Sequence, residues 1–307
     1  MLTNAALLAS VSPPPNRLAC VMDEPLLAWH RLETTPLNAA YYLRLASGQE
    51  QVLWINQRDQ EPRVERYVAA IDLLPNLTPP LVRADTTCER LEYPYLLTRY
   101  LPEPTLAQAW SRFNAAQREQ AARSWGHALR LIHRVRFEWA GDLALPEVEG
   151  ERLETYLETA WRRLLPLTSS DDTVDTAALT SALERTRALL CDAPVTLCHG
   201  SAAAHNVLWS DAHTRVTSSV DFKRAQRSDP MTDLAALWDE VQKLGCEDAF
   251  VQGYGALSRW EKLRLSVYKL HHALECYAEA LRCDPRQIAR WRRRLAAAVQ
   301  EVSQLPC

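Results

Sequence analysis

Glycine is scarce in this sequence. Only eight of the 307 residues are glycine, and Gly48 alone lies before Gly126; average usage is about 7%. Glycine lets a backbone adopt positive φ and approach a ligand closely. Its scarcity therefore excludes a glycine-rich phosphate-binding loop of the G-x-G-x-x-G type from the part of the chain before Gly126.

Paired cysteines are also missing. The chain has eight cysteines, and no two are spaced as C-x-x-C, which excludes the usual zinc-ligand spacing. The cysteines are scattered through apolar segments, as buried free thiols are. We therefore expect reduced thiols and a cytoplasmic protein.

Positive charge and long apolar runs are lacking as well. The net charge is −3, so no global field favours nucleic acid or an anionic membrane, and neither is expected as a partner. No window reaches about 18 uninterrupted apolar residues, and the N-terminus lacks a basic segment before its short apolar run. Residues 282–295 carry six arginines, for which a solvated helix face is favoured over an anion-binding patch.

The patterned segments begin with strands and continue with helices. Residues 39–46 and 49–57 are rich in aromatic and β-branched side chains and flank a short turn, which is typical of a β-hairpin. Residues 61–74 carry apolar side chains at helical spacing. Two more strands are predicted within 78–86 and 93–102. Later helices are predicted at 115–135, 151–165, 175–190, 258–281 and 285–303, and short strands at 195–200 and 215–222.

This order predicts an α+β protein with two lobes, because strand runs are followed by helix runs. Residues 1–22 form a lead-in, 23–101 the smaller lobe with a sheet and one helix, and 102–307 the larger, mainly helical lobe. A crevice between lobes is the default ligand site. We expect it to hold a small molecule or a partner protein.

Two motifs identify a family resemblance. "HGSAAAHNVLW" at 199–209 and "SVDFKRAQRSDPMTDLAAL" at 219–237 resemble the aminoglycoside phosphotransferase and choline kinase family. That family has a loop of the form HGD, four residues, then Asn, followed by a hydrophobic–Asp pair and D-P-x-x-D-L-A. The resemblance covers about residues 25–280. It implies a bilobal protein-kinase-like fold with a small antiparallel-sheet N-lobe and a larger helical C-lobe that includes a catalytic-loop-like segment at 199–221.

The resemblance also implies roles for individual residues. Asp221 and Asn206 would hold Mg²⁺ on the phosphates of ATP, since both offer hard oxygen ligands; the alternative is that both cap turns after strands. His199 would brace the loop rather than act as a base. Asp233 would anchor the loop by accepting hydrogen bonds, and Asp229 is predicted to be a turn residue.

The catalytic aspartate of the family is absent. Ser201 stands at the position from which that carboxylate would orient the acceptor hydroxyl. Loss of a general base typically costs about 10²–10⁴ in rate. The following residues are alanines, so no neighbouring carboxylate replaces it.

The phosphate side of the expected site departs from the family too. Trp54 stands where the strand cation would contact the phosphates, which leaves Glu65 on the following helix without its ion-pair partner. Residues 33–43, where a phosphate-covering loop would lie, contain no glycine. Lys223 could supply a cation from the metal side, although an exposed loop lysine is the favoured interpretation.

These departures favour a pseudokinase that acts as a binding or regulatory module, with doubtful binding of ATP and Mg²⁺. The alternative is an atypical ATP-dependent phosphotransferase acting on a hydroxyl of an amino sugar, an amino alcohol or a similar compound. Nucleotide binding discriminates between the two most cheaply.

Overall fold

A computed structural model describes residues 15–34, 38–57, 61–168 and 174–305. Most of the predicted lead-in, the centre of the predicted phosphate-covering loop (Pro36 and Leu37) and residues 169–173 before the helix predicted at 175–190 lie outside the described residues. Contacts divide the chain into two compact units. The first comprises residues 1–109 and 205–225, and the second 110–204 and 226–307. This grouping divides the segment 199–221 between the units.

The described elements follow in chain order, with 3₁₀ turns left unnumbered. They are α1 (Pro15–Leu18), β1 (Leu26–Thr34), β2 (Asn38–Leu45), β3 (Glu50–Asn56), α2 (Glu61–Leu73), β4 (Leu81–Asp85), β5 (Tyr95–Arg99), α3 (Leu106–Trp110), α4 (Ala115–Ile132), β6 (Arg136–Phe137), β7 (Gly141–Asp142), α5 (Leu153–Thr168), α6 (Thr176–Thr186), β8 (Val195–Cys198), β9 (Val207–Ser210), β10 (Arg215–Ser219), β11 (Gln226–Ser228), α7 (Met231–Lys243), α8 (Glu247–Tyr254), α9 (Arg259–Cys283) and α10 (Ile288–Ser303).

The first unit is built on a five-stranded antiparallel sheet in the order β1-β2-β3-β5-β4. Burial alternates along most of β3 and along the second half of β2, as expected for strands with one face on a core, whereas the first four residues of β2 are all buried. Trp54 pairs with Ala40 on one side and Leu96 on the other, which fixes it in the middle of the sheet. The main core cluster comprises Leu18, Val21, Ala39, Tyr41, Leu43, Leu53, Ile55, Leu91, Tyr95 and Leu97.

A second hairpin, β9–β10, completes the first unit. Ser219 pairs with Val207, and the Trp209 N–H donates to the Pro104 carbonyl at 2.9 Å. The Leu77 carbonyl, beyond the end of α2, accepts from the Ser219 N–H at 2.7 Å. These bonds fix the hairpin against the segments that follow α2 and β5.

The second unit is mainly helical. Its small sheet has the order β6-β8-β11-β7, and helices α4 to α10 make up the rest of its regular structure. Helix α4 begins with a capping box at Asn114 and α9 with one at Ser258, which satisfies backbone N–H groups at each start. Gly126 on α4 and Gly253 on α8 let these two helices approach closely.

The predicted fold class is confirmed: an antiparallel sheet occupies the N-terminal region and helices dominate the C-terminal region. The predicted hairpin is β2–β3. The helix predicted at 175–190 contains α6, which Asp175 caps by accepting from the Ala178 N–H at 2.9 Å. Strand β1 was not predicted. Its residues do not alternate simply between polar and apolar, and its pairing with β2 contains two register shifts.

Within the described ranges, no helix combines the length and apolar character that crossing a membrane requires.

Candidate functional site

The turn after β8 is held by one buried carboxylate. Asp233, in the first turn of α7, accepts from the His199 N–H at 2.7 Å and from the Gly200 N–H at 2.8 Å. Gly200 has φ of 75°, a left-handed conformation that glycine adopts without steric cost. The Ser201 N–H donates to His199 Nδ1 at 3.2 Å. His199 and Asp233 therefore set the backbone conformation at Ser201.

A histidine from α4 supports this carboxylate. His133, the C-cap of α4, places Nε2 3.0 Å from Asp233 Oδ2 and Nδ1 2.8 Å from the Tyr254 hydroxyl. Burial alone would raise the pKa of Asp233, but the hydrogen bonds from His133 and His199 outweigh it and hold the pKa below its ordinary value. The helix predicted at 115–135 includes His133, but no sequence pattern indicated this contact.

His133, Cys198 and Asp233 also form a buried cluster with metal-ligand chemistry. Each of their ligand atoms is already engaged in hydrogen bonds, however. The Cys198 thiol donates to the Asp229 carbonyl at 3.2 Å, and burial raises the pKa of Cys198 well above its ordinary value. A protonated, hydrogen-bonded thiol is a poor metal ligand, so the cluster is a polar core beneath the loop.

Two further side chains contact the loop from the second unit. The buried Trp125 indole N–H donates to the Ala202 carbonyl at 3.1 Å. Glu240 on α7 accepts from the Ala204 N–H through Oε2 at 3.1 Å. Sequence reasoning missed Glu240, because it lies 36 residues beyond Ala204 and no motif marks it. Ser201 itself is partly exposed, and His205 is exposed.

In the first unit, the β9–β10 hairpin brings Asn206 and Asp221 together. The Asn206 carbonyl accepts from the Val220 N–H at 2.9 Å, and Val220 directly precedes Asp221. The Asn206 residue is buried. The two predicted metal ligands, fifteen residues apart in sequence, are thus neighbours because the strands between them pair.

The backbone at Asp221 adopts an unusual conformation. Its φ and ψ are 65° and 52°, in the left-handed region that few non-glycine residues enter. The Asp221 N–H donates to the buried Tyr67 hydroxyl of α2 at 3.1 Å, and burial raises the pKa of that phenol, so it stays protonated. The Arg66 guanidinium donates to the Lys223 carbonyl at 3.3 Å. Helix α2 therefore holds the segment 221–223 in place. Left-handed backbone conformations at non-glycine residues, like that of Asp221, cluster at functional sites.

Lys223 is the principal surprise. The sequence favoured an exposed loop lysine, but the residue is only 5% exposed. Its Nζ lies 3.0 Å from Asp221 Oδ1 and 4.6 Å from the centroid of the Trp54 ring. A cation over an indole face is attracted by the ring quadrupole. The tryptophan that displaced the expected strand cation therefore holds a different cation beside Asp221.

Glu65 lies at the protein surface, whereas Asp229 lies in the core. Glu65 is exposed on α2, and within the described part of the chain it forms no ion pair. Asp229, predicted as a turn residue, is fully buried and pairs with Arg264 Nε on α9 at 2.6 Å. Burial raises its pKa against the opposing effect of Arg264. Sequence spacing could not have found Arg264, because tertiary packing alone brings α9 to this position.

The donors Asn206 and Asp221 have the oxygen chemistry that Mg²⁺ prefers. The Asp221 carboxylate is nevertheless already neutralised by the Lys223 ammonium. Asn206 and Asp221 therefore match a metal site by the type of their donor atoms. They do not match it by charge, because the Lys223 ammonium already lies against the Asp221 carboxylate.

Comparisons with known proteins identify the family. The model of the phosphotransferase enzyme family (APH) matches residues 31–266, and the chain belongs to that family. No curated protein matches the sequence significantly.

Solved structures share the fold at low sequence identity. A thermostable mutant of the aminoglycoside phosphotransferase APH(4)-Ia, in ternary complex with AMP-PNP and hygromycin B, has a TM-score of 0.71 at 16% identity, covering 94% of this chain and 99% of that chain. APH(2'')-IIIa with GDP and kanamycin has a TM-score of 0.64 at 13% identity, covering 94% and 95%. ADP-bound APH(2'')-Ib has 0.62 at 13%, covering 98% and 97%.

Proposed function

We propose that this chain binds a nucleotide in its first unit and uses it as a regulatory ligand, with ordinary phosphoryl transfer lost. The observation that carries the proposal is the buried Lys223 ammonium beside Asp221 and Trp54. Burying an ammonium is costly unless it is paired, and here the carboxylate and the indole pair it. A cation kept at this place suits a ligand with phosphate groups.

The loss of transfer rests on Ser201. The segment 199–206 contains no carboxylate, and a serine hydroxyl is a poor base near neutral pH. The surrounding frame persists, because Asp233 and His199 still fix the loop backbone. A loop whose backbone is held in place but which contains no catalytic carboxylate supports ligand binding rather than phosphoryl transfer.

The test is a melting scan combined with a turnover assay on the full chain. ATP at about 100 times its dissociation constant is expected to stabilise the protein by about 2.7 kcal/mol. Release of ADP in the presence of a panel of amino sugars and amino alcohols is expected to stay at the level of an assay without protein. Acceptor-dependent ADP release, with the phosphorylated acceptor detected by mass spectrometry, would overturn the loss of transfer.

A second candidate is a working small-molecule phosphotransferase, and Glu240 is the observation that favours it. This carboxylate reaches the loop from α7 and accepts from the Ala204 N–H, so the loop does have a carboxylate in contact with it. As the base, Glu240 would take the proton of an acceptor hydroxyl. Turnover in wild type that Glu240→Gln abolishes, and that Asp239→Asn leaves intact, would select this candidate.

A cavity in the second unit is a candidate acceptor site for that function. A cavity of about 510 Å³ is lined by Glu154, Glu158 and Glu184 around Trp161. Carboxylates around an aromatic ring suit a cationic amino compound. Arg162 and Arg187 already pair with Glu158, however, so part of this negative charge is balanced within the protein.

A further inference from the structure

We infer that Lys223 takes the place of the metal ion on Asp221, so that this chain binds nucleotide phosphates without Mg²⁺. The inference rests on the proposed nucleotide binding and specifies the form of the ligand: a metal-free nucleotide. It starts from a conflict of charge at one carboxylate.

Two distances show why Lys223 and Mg²⁺ cannot both lie against Asp221. Lys223 Nζ lies 3.0 Å from Asp221 Oδ1, whereas Mg²⁺ binds carboxylate oxygen at about 2.0–2.1 Å in a strict octahedral shell. A divalent ion on Asp221 would then lie within a few ångströms of an ammonium, and like charges at that distance repel strongly where water is scarce. The lysine must leave before the metal can bind.

The lysine has little reason to leave. Its side chain is only 7% exposed, and the ring of Trp54, a residue of β3, lies against its ammonium. Its carbonyl accepts from Arg66, and its neighbour Asp221 is fixed by Tyr67. Within the described residues no other carboxylate pairs with Lys223, and Glu65 stands exposed on α2. Moving the ammonium away from Asp221 would therefore leave it without a counter-ion.

The same arrangement leaves a route for phosphate. The Asp221 side chain is 25% exposed, so the ion pair can be approached from the side of the carboxylate. A phosphate oxygen arriving there would meet an ammonium with three N–H donors, none of which forms a hydrogen bond with Asp221 Oδ1 in the described part of the chain. The ligand would thus be neutralised by a covalently attached cation rather than by a dissolved one.

The experiment measures ATP binding by calorimetry in EDTA and in excess Mg²⁺. Wild type is expected to bind ATP in EDTA and to bind it no more tightly in excess Mg²⁺, since no metal joins the complex and dissolved Mg²⁺ competes with the protein for the nucleotide. Lys223→Gln is expected to weaken binding in EDTA by about tenfold or more, the usual effect of losing a charge-assisted contact. The same variant should bind better in Mg²⁺ than in EDTA, because Asp221 becomes available. Lys243→Gln, at an exposed lysine of α7, is the matched control and should behave as wild type.

Direct metal uptake gives a second measurement. Mn²⁺, followed by electron paramagnetic resonance with ATP present, should bind Lys223→Gln and not wild type at the nucleotide site. Circular dichroism establishes that the variants are folded.

The outcomes separate the two proposals. ATP binding by wild type only when Mg²⁺ is present would overturn this inference and leave the proposed nucleotide binding standing. Equal affinity of wild type and Lys223→Gln in EDTA would overturn it as well, because the lysine would then be purely structural. No ATP binding under either condition would overturn both proposals.

Discussion

At the residue scale, the proposed function depends on Trp54 and Ser201. They stand where the family resemblance leads us to expect a strand cation and a catalytic carboxylate, and the two positions differ in their surroundings. Trp54 is compensated, since its ring holds the Lys223 ammonium at 4.6 Å. Ser201 has no comparable compensation within its own loop. The two sites should therefore respond differently to restoration.

The first residue-scale prediction is that Ser201→Asp alone leaves ATP affinity within about threefold of wild type and produces no turnover. The new carboxylate supplies a base, but Asp221 remains paired with Lys223 and cannot hold a metal. The measurements are calorimetry and ADP release, with Ser201→Asn as the uncharged control of similar size. Robust acceptor phosphorylation by Ser201→Asp would show that the phosphate site already works as in active relatives.

A triple variant tests the same logic in the opposite direction. Trp54→Lys, Lys223→Gln and Ser201→Asp together restore the family pattern, with Glu65 available to the new strand lysine. We expect ATP binding in this variant to require Mg²⁺, which calorimetry in EDTA and in Mg²⁺ would show. Trp54→Lys alone would place two ammonium groups beside Asp221 and should bind ATP without such a requirement.

At the element scale, the second unit depends on the close approach of α4 and α8. A Cβ built on Gly126 would lie 2.1 Å from the Phe250 carbonyl oxygen, and one on Gly253 would lie 1.8 Å from the Arg123 carbonyl oxygen. Both clashes are with backbone, which cannot rotate away. The contact positions Tyr254, which bonds to His133, so the helix pair supports the loop anchor as well as the core.

We predict that Gly126→Ala destabilises the protein by about 2–3 kcal/mol, the usual cost of overpacking a core. Helix propensity alone would give the opposite sign, a gain of about 1 kcal/mol for alanine over glycine. Gly253→Ala should behave alike, whereas Gln120→Ala on the exposed side of α4 should change stability by less than about 0.5 kcal/mol. Chemical denaturation measures all three. An unchanged or higher stability in Gly126→Ala would contradict the close approach.

At the scale of the whole molecule, pH should act on stability through Asp233. The folded chain holds the pKa of this carboxyl below its ordinary 3.8, so the carboxyl binds its proton less tightly when folded than when unfolded. The corresponding stability is present above the unfolded pKa and is lost as pH falls through the folded pKa. Asp229 has the opposite sign, since its pKa is raised.

The prediction is therefore stated as a difference between variants. Asp233→Asn should lower the free energy of unfolding at pH 7 by about 2–4 kcal/mol, because buried donors lose a charged acceptor. The difference in the free energy of unfolding between wild type and Asp233→Asn should narrow as pH falls below about 4, whereas Asp192→Asn, at an exposed position, should parallel wild type throughout. Denaturant titrations between pH 7 and pH 3 measure this, and a gap that stays constant with pH would refute the role of the Asp233 charge.

Local sequence patterns were enough to predict the fold class and the positions of many helices and strands. Aromatic and β-branched side chains in β2 and β3 and helical spacing in α2 are local features, and local features can be deduced from neighbouring residues in the chain. The spacing of the loop from His199 to Asn206 was expected from the family resemblance, and the roles of its residues remain predictions. Helices and strands were predicted correctly where their physical cause lies within a few residues.

The surroundings of Trp54, Lys223 and Asp229 depend on tertiary packing and could not be predicted from the sequence. Lys223 looked like an exposed loop residue until the sheet placed Trp54 beside it, and Asp229 looked like a turn residue until α9 brought Arg264 against it. The contacts of Glu240 with Ala204 and of Tyr254 with His133 could not be predicted for the same reason. Burial and ion pairing depend on which elements pack together, and the energy of a buried charge is set by partners far away in sequence, so no local pattern reveals it.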